Sequence, residues 1–263
     1  MNFNLKGKTA IISGGNKGLG AASADALAGE GTNLFLTARN VDQLEDIASR
    51  MRDSHGVEVE TLAGDLTARE TADLVARSAL QRFGRIDILV NSAGSSQGGV
   101  FWEMPDSAWE DSLALKFMGT IRMMRAVIPA MREQHNGRII NIVGNLAKQP
   151  NPRLLPGAAA NAGLLAVTTG LAQEVAADGI VVLAINPGPT RTERWNTLME
   201  NLAAQGETSV EAIEAGFIED IPMNRLGEPK EIGRIVAFLA SEMAANMTGT
   251  SLTVDGGWIK GLA

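Results

Sequence analysis

Short apolar runs recur along the chain, separated by longer stretches in which apolar positions return every three or four residues. Seven runs read as strands: 9–13 (TAIIS), 33–37 (NLFLT), 57–63, 86–90 (IDILV), 138–143 (RIINIV), 180–185 (IVVLAI) and 251–254 (SLTV). Helical spacing fills about 18–29, 41–54, 67–82, 107–134, 157–177 and 228–241 between them. Strands that alternate with helices predict a parallel sheet covered on both faces. The expectation is therefore a doubly wound α/β fold, a seven-stranded parallel sheet with helices on both faces, built as one domain over 1–263. One segment, about 190–222, breaks the alternation after a strand end. It carries Arg191, Arg194, Trp195 and a short helical piece. A long excursion at the carboxyl edge of such a sheet predicts a substrate lid.

Composition narrows the function. The net charge is −7 with no basic run, which argues against nucleic acid and against an anionic membrane as partners. The longest uncharged run, Leu154 to Gln173, contains Pro156, Gly157 and Asn161 and reads as a helix buried between protein surfaces rather than a membrane span. The N-terminal residues are polar and show no signal-peptide core, so a soluble, cytoplasmic protein is expected. There is no cysteine, which excludes disulfides and thiolate chemistry and fits a reducing compartment. Two isolated histidines, His55 and His135, make no metal site, and no metal is expected. There is also no tyrosine.

The first strand runs into a glycine-rich turn, Ser13-Gly14-Gly15-Asn16-Lys17-Gly18-Leu19-Gly20, at the start of a helix. Glycines at 14, 18 and 20 supply the tight turn, the close approach of backbone to a pyrophosphate and the tight helix–strand packing. The helix N-terminus then turns unpaired N–H groups toward an anion. An NAD site usually ends its second strand in an acid that binds the ribose hydroxyls. Here that end reads Thr37-Ala38-Arg39-Asn40. Lys17 and Arg39 can instead converge on a 2′-phosphate, so NADP(H) is the expected cofactor.

Further motifs join the turn: Asp65-Leu66, Asn91-Ser92-Ala93-Gly94, Pro187-Gly188-Pro189-Thr190-Arg191-Thr192, Arg225-Leu-Gly-Glu-Pro229 and Asp255-Gly256-Gly257. In this order they resemble the classical short-chain dehydrogenase/reductases, in the branch of the 3-oxoacyl-carrier-protein reductases. The resemblance covers about residues 5–259. It implies a Rossmann-type fold and an oxidoreductase. It implies a cofactor site of Gly14, Asn16, Lys17, Gly18, Leu19, Gly20, Arg39, Asp65, Leu66, Asn91, Ala93, Gly94, Pro187, Gly188, Thr190 and Thr192. By that likeness Asp65 would hold the adenine amino group, Asn91 would brace the central strand, and the 187–192 stretch would line the nicotinamide end. It also implies a homodimer or homotetramer through the helices at about 107–134 and 157–177, where small residues permit close approach.

The family works with an asparagine, a serine, a tyrosine and a lysine. The matching positions here hold Lys116, Gly144, Gly157 and Asn161. A shift of register restores none of them, because tyrosine is absent and no serine lies between Ser112 and Ser209. Hydride transfer to a carbonyl needs a proton donor, which contributes about 10²–10⁴-fold. Glycine cannot serve. The family's asparagine and lysine look exchanged, so Lys116 and Asn161 are the candidate catalytic residues, with Lys116 as acid, base or electrostatic stabiliser. The alternative is that Lys116 snorkels from its helix to solvent. Lys148, Gln149, Arg153, Arg191 and Arg194 form a basic set that could take an anionic small-molecule substrate. Trp102 and Trp109 border a pocket or an interface. Three readings stay open: an NADP(H)-dependent oxidoreductase with an altered proton relay, a redox-inactive nucleotide-binding protein, and a non-redox enzyme on the same scaffold.

Overall fold

The computed structural model describes residues 3–94, 97–206 and 208–261. The strands are β1 (Thr9–Ser13), β2 (Asn33–Ala38), β3 (Val59–Ala63), β4 (Ile88–Asn91), β5 (Gly137–Ile142), β6 (Ile180–Pro187) and β7 (Ser251–Val254). They form one parallel sheet in the order β3-β2-β1-β4-β5-β6-β7. The helices are α1 (Gly18–Gly29), α2 (Val41–His55), α3 (Thr71–Phe83), α4 (Asp106–Ser112), α5 (Gly119–Glu133), α6 (Leu155–Val175), α7 (Glu193–Gly206), α8 (Val210–Glu219) and α9 (Pro229–Ala240).

The period-two pleat sorts the strand residues into two cores. Ala10, Ile12, Leu34, Leu36, Val90 and Ile140 pack on one face with Leu27, Leu44, Met51, Ile232 and Val236 of α1, α2 and α9. Ile11, Phe35, Leu89, Ile139 and Val182 point the other way, onto Val75, Met123, Val127, Ala172 and Val175 of α3, α5 and α6. Strands buried on both sides explain the near-continuous apolar runs.

The 155–178 stretch is long and apolar enough to cross a bilayer by length and composition. In the fold α6 lies on the sheet instead. Leu164 joins Val143 and Ala184 in a small core, and Thr168 Oγ1 accepts a 3.0 Å hydrogen bond from Asn141 Nδ2 of β5.

Most element ends move by one or two residues from the sequence pattern, and three departures are larger. The third helix begins at Thr71, not 67, because Asp65 Oδ1 accepts the Thr67 N–H at 2.9 Å and holds the chain in a turn. The long helix expected over 107–134 is interrupted: Leu113–Met118 is a π-helical turn between α4 and α5. The 190–222 segment carries two helices, α7 and α8, with a core of their own around Trp195, Met199, Ile221, Leu226 and Trp258.

Candidate active site

The strand order reverses between β1 and β4, and the crevice opens beyond the carboxyl ends of the strands there. A cleft of about 1270 Å³ runs from the glycine-rich turn, past β4 and β5, to α7 and α8, the helices of the segment expected as a lid. Gly14, Asn16, Lys17, Gly18, Leu19, Arg39, Leu66, Ala93, Gly94, Pro187, Gly188, Thr190 and Thr192 all line it. Their chain separation spans most of the molecule, yet the parallel sheet delivers every one to the same edge.

The turn is shaped for a ligand's backbone. Gly14 has φ +67°, and a Cβ there would stand 2.9 Å from the Ala93 amide nitrogen. A side chain at Gly20 would collide with the Gly14 carbonyl, so Gly20 packs the turn rather than touching the cleft. Such a cradle of bare backbone at the start of α1 fits a pyrophosphate. At the adenosine end Lys17 and Arg39 line the cleft, and Asn40 is spent capping α2 through the Gln43 N–H. Lys17 Nζ lies 3.0 Å from Glu193 Oε2 at the head of the lid, with both side chains exposed.

Besides Gly20, two of the expected cofactor residues do not line the cleft. Asp65 is exposed at the rim, its Oδ1 turned back to the Thr67 N–H. Asn91 is buried and does not reach the cleft. It accepts a 3.5 Å hydrogen bond from Ser13 Oγ and donates to Asn141 Oδ1 at 2.9 Å, so it ties β1, β4 and β5 together.

The cleft floor is built on the π turn. The Gly119 N–H reaches Ala114 O, one residue beyond the α-helical register. The extra residue rotates the following side chains out of their α-helical phase. Lys116 lies on this turn and lines the cleft. Its stem lies against Gly94, where a Cβ would stand 3.1 Å from Cγ and Cδ. Its Nζ donates to Val143 O at 2.6 Å. Burial, and then the Arg194 guanidinium nearby, pull the ammonium down from its ordinary 10.5 to about 7.

Beside that carbonyl, Gly144 adopts φ +119° and ψ 147°, a region that residues with a Cβ rarely enter. Asn161 Nδ2 reaches Gly144 O at 3.5 Å, while Asn161 Oδ1 is buried without a partner. An orphaned buried acceptor at a cleft wall marks a place for a donor from a ligand. Gly157, in the first turn of α6, lines the same wall. Lys116, Gly144, Gly157 and Asn161, scattered over 46 positions of sequence (161 − 116 + 1), therefore meet in one place.

The far wall comes from the lid. Trp195, Leu198, Leu202 and Phe217, with Trp258, line the cleft. The Trp195 and Phe217 rings meet edge to face at 5.2 Å, and Trp195 Nε1 donates to Glu214 Oε1 at 2.8 Å. Sequence reading missed all of these but Trp195. The apolar spacing Trp195, Leu198, Met199 and Leu202 was the available signal. Arg194 Nη1 donates to Gly94 O at 2.8 Å and so spans the cleft from lid to β4 loop. The rest of the basic set is not brought in. Arg191 pairs with Glu228 at 3.6 Å, Lys148 Nζ contacts Thr253 Oγ1 at 3.4 Å, and neither they nor Gln149 and Arg153 line the cleft. Trp102 is 82% exposed, and Trp109 stacks edge-on with Phe101 at 6.1 Å, away from the cleft.

Comparison with known proteins agrees with this architecture. The sequence model described as "Enoyl-(Acyl carrier protein) reductase" matches residues 14–259. The 3-oxoacyl-[acyl-carrier-protein] reductase FabG of Escherichia coli is 34% identical over 255 residues, 97% of this chain and 98% of the relative. The chain belongs to the classical short-chain dehydrogenase/reductase family. Its branch is that of the FabG-like reductases. The NADPH-dependent reductase BacG of Bacillus subtilis is 31% identical over 259 residues, 97% of this chain and 99% of the relative. Among solved structures, L-sorbose reductase from Gluconobacter frateurii, complexed with NADPH and L-sorbose, superposes with a TM-score of 0.94 at 33% identity, covering 100% of both chains.

Proposed function

We propose that the protein is an NADP(H)-dependent oxidoreductase that keeps the family's cofactor cradle and runs its proton transfer through Lys116. Four features support the cofactor: the bare-backbone turn at Gly14, the basic pair Lys17 and Arg39, the absence of an acid at the end of β2, and relatives named as NADPH enzymes. Lys17 and Arg39 would hold the 2′-phosphate, the turn and the α1 N-terminus the pyrophosphate, and Asn161 Oδ1 a ribose hydroxyl. Bound there, the nicotinamide supplies a hydride or accepts one.

The chemistry positions that the resemblance marks hold Lys116, Gly144, Gly157 and Asn161, and the chain has no tyrosine to take their place. The observation that carries the reading is the ammonium of Lys116. It stands in the cleft on Val143 O, with a pKa near neutrality. An amine so tuned gives up a proton readily at physiological pH. In reduction, Lys116 Nζ donates the proton that the new alkoxide oxygen needs and is left as a neutral amine. In oxidation, it takes that proton back.

A redox-inactive nucleotide-binding protein is the second reading. It is favoured by Gly144, which stands at the position the resemblance marks for the family's serine and whose φ +119° backbone residues with a Cβ rarely adopt. Titration with NADPH and NADH separates the possibilities, followed by energy transfer from Trp195 and Trp258 in the cleft wall. Tight NADPH binding with weaker NADH binding is expected. Equal affinities would refute the roles of Lys17 and Arg39. Binding without reduction of any carbonyl compound would leave the second reading.

A further inference from the structure

The charged side chains that line the cleft, among the described residues, are Lys17, Arg39, Lys116, Glu193 and Arg194. Glu193 is the one carboxylate, and it is paired with Lys17. Beyond that pair, the end of the cleft that holds Lys116 carries cations alone.

Arg194 faces the cleft without an ion pair among the described residues, and one nitrogen, Nη1, is committed to Gly94 O. A guanidinium has five N–H donors in a planar fork, so most of this one is unspent. The residue is exposed, but the space it faces is the cleft, and enclosure by the walls lowers its pKa from the ordinary value. Holding the lid to Gly94 would need only an amide. A charged fork that faces the cleft with most of its donors open is placed to be completed by a ligand anion.

We propose that Arg194 anchors a carboxylate of the substrate, and that the substrate is an oxo acid: a carbonyl compound bearing a carboxylate on a short apolar body. The carboxylate meets the open edge of the guanidinium. The body lies against Trp195, Leu198, Leu202 and Phe217 of the lid and Trp258. One guanidinium between apolar walls suits a monoanion; a phosphate dianion would call for more donors than the lid offers. The proposal rests on the reductase reading of this cleft. The carbonyl carbon gains the hydride from NADPH, the carbon–oxygen π pair moves to oxygen, and that oxygen takes the Lys116 proton. The product is the hydroxy acid.

The neighbouring cations give the anchor a second consequence. Arg194 is one of the two causes that hold the Lys116 ammonium near neutrality. A carboxylate on Arg194 cancels its repulsion, so an anionic substrate keeps Lys116 protonated, ready to donate.

Binding tests the anchor without turnover. Benzoylformate and its methyl ester are titrated calorimetrically into the wild type and Arg194→Gln, each with saturating NADP⁺ and without nucleotide. The glutamine can still donate to Gly94 O. Wild-type protein should bind the acid roughly ten- to a hundredfold tighter than the ester, the range of a charge-assisted pair. Arg194→Gln should erase that preference while leaving the NADP⁺ affinity within about twofold, and Arg194→Lys should restore part of it. Equal affinity of wild type for acid and ester would overturn the proposal. So would an Arg194→Gln protein whose NADP⁺ binding collapses, since the guanidinium would then serve the dinucleotide phosphates. Failure of the protein to bind NADP⁺ at all would sink the reductase reading, and the nucleotide-free comparison would still decide the anchor.

Discussion

Reduction by this protein should lose rate as pH rises through about 7, and Lys116→Met should abolish that limb. In the proposed proton transfer the acid form of Lys116 is the reactive one in reduction. Its ammonium is drawn from 10.5 to about 7, first by burial and then by Arg194. The other charged groups along the cleft are Lys17, Arg39 and Glu193, of which Lys17 and Glu193 neutralise one another. Below about pH 7 the rate should be flat. Above it, kcat/KM should fall about tenfold per pH unit as the ammonium empties. Removing a positioned acid costs about 10²–10⁴-fold, so Lys116→Met should be slower by that factor and flat with pH. Arg194→Gln removes a repulsive neighbour and should move the limb to higher pH. Stability gives a readout independent of turnover. Between about 7 and 10.5 the unfolded chain binds a proton at Lys116 that the folded chain lacks, so stability from this group rises with pH across that window. Below about 7 both states are protonated and the cost of the buried charge is full. Lys116→Met should therefore raise Tm at neutral and acid pH, and the gain should fade as pH approaches 10.5. Because Lys116 is only half-buried at the cleft wall, the gain should be about 1–2 kcal/mol rather than the whole shift. A Lys116→Met protein with wild-type rate and an unchanged limb would refute the reasoning.

Two further outcomes follow from the site. Gly144→Ser should lower stability by about 1–3 kcal/mol, because φ +119° suits only glycine, and it should gain no activity; urea melts and reductase assays check it, and a stable, faster variant would contradict it. Glu193→Gln should tighten NADPH binding about two- to fivefold by releasing Lys17 from an exposed pair, an effect that salt should erase; an unchanged Kd at low ionic strength would show that the pair does not compete with the nucleotide.

The sheet was legible because its evidence is local. The central strands are apolar runs buried on both faces, and helices such as α2, α3, α5 and α9 carry an apolar stripe. The cofactor edge was legible for a related reason: a turn that admits no Cβ at Gly14 or Gly20 must be written in glycine. The π turn at Leu113–Met118 left no such mark. Its apolar spacing is that of an ordinary helix; the turn ends at Gly119, where a Cβ would meet Leu66 at 3.2 Å. Asp65 and Asn91 illustrate the same limit. A short polar side chain after a strand can face a ligand, a turn or a neighbouring strand, and only the fold decides. The basic set divided for an equally three-dimensional reason: Arg191 and Arg194 are three residues apart, but Arg191 finds Glu228 outside the cleft while Arg194 crosses it.

The residues around Lys116 are mutually fitted, and that bears on the proposed altered proton transfer. The lysine stem needs a bare Gly94, since a Cβ there would press on it at 3.1 Å. Its ammonium needs an acceptor and finds Val143 O. The next residue is Gly144, whose glycine-only backbone brings its own carbonyl within reach of the Asn161 amide. Asn161, uncharged, can be buried beside an ammonium that a second lysine would repel. Gly144 and Gly157 leave the wall open where side chains would crowd the cleft. Together these give an ammonium with a partner, cleft space in front of it and a guanidinium that forms no ion pair among the described residues, the arrangement that the proposed reduction of an anionic carbonyl compound requires.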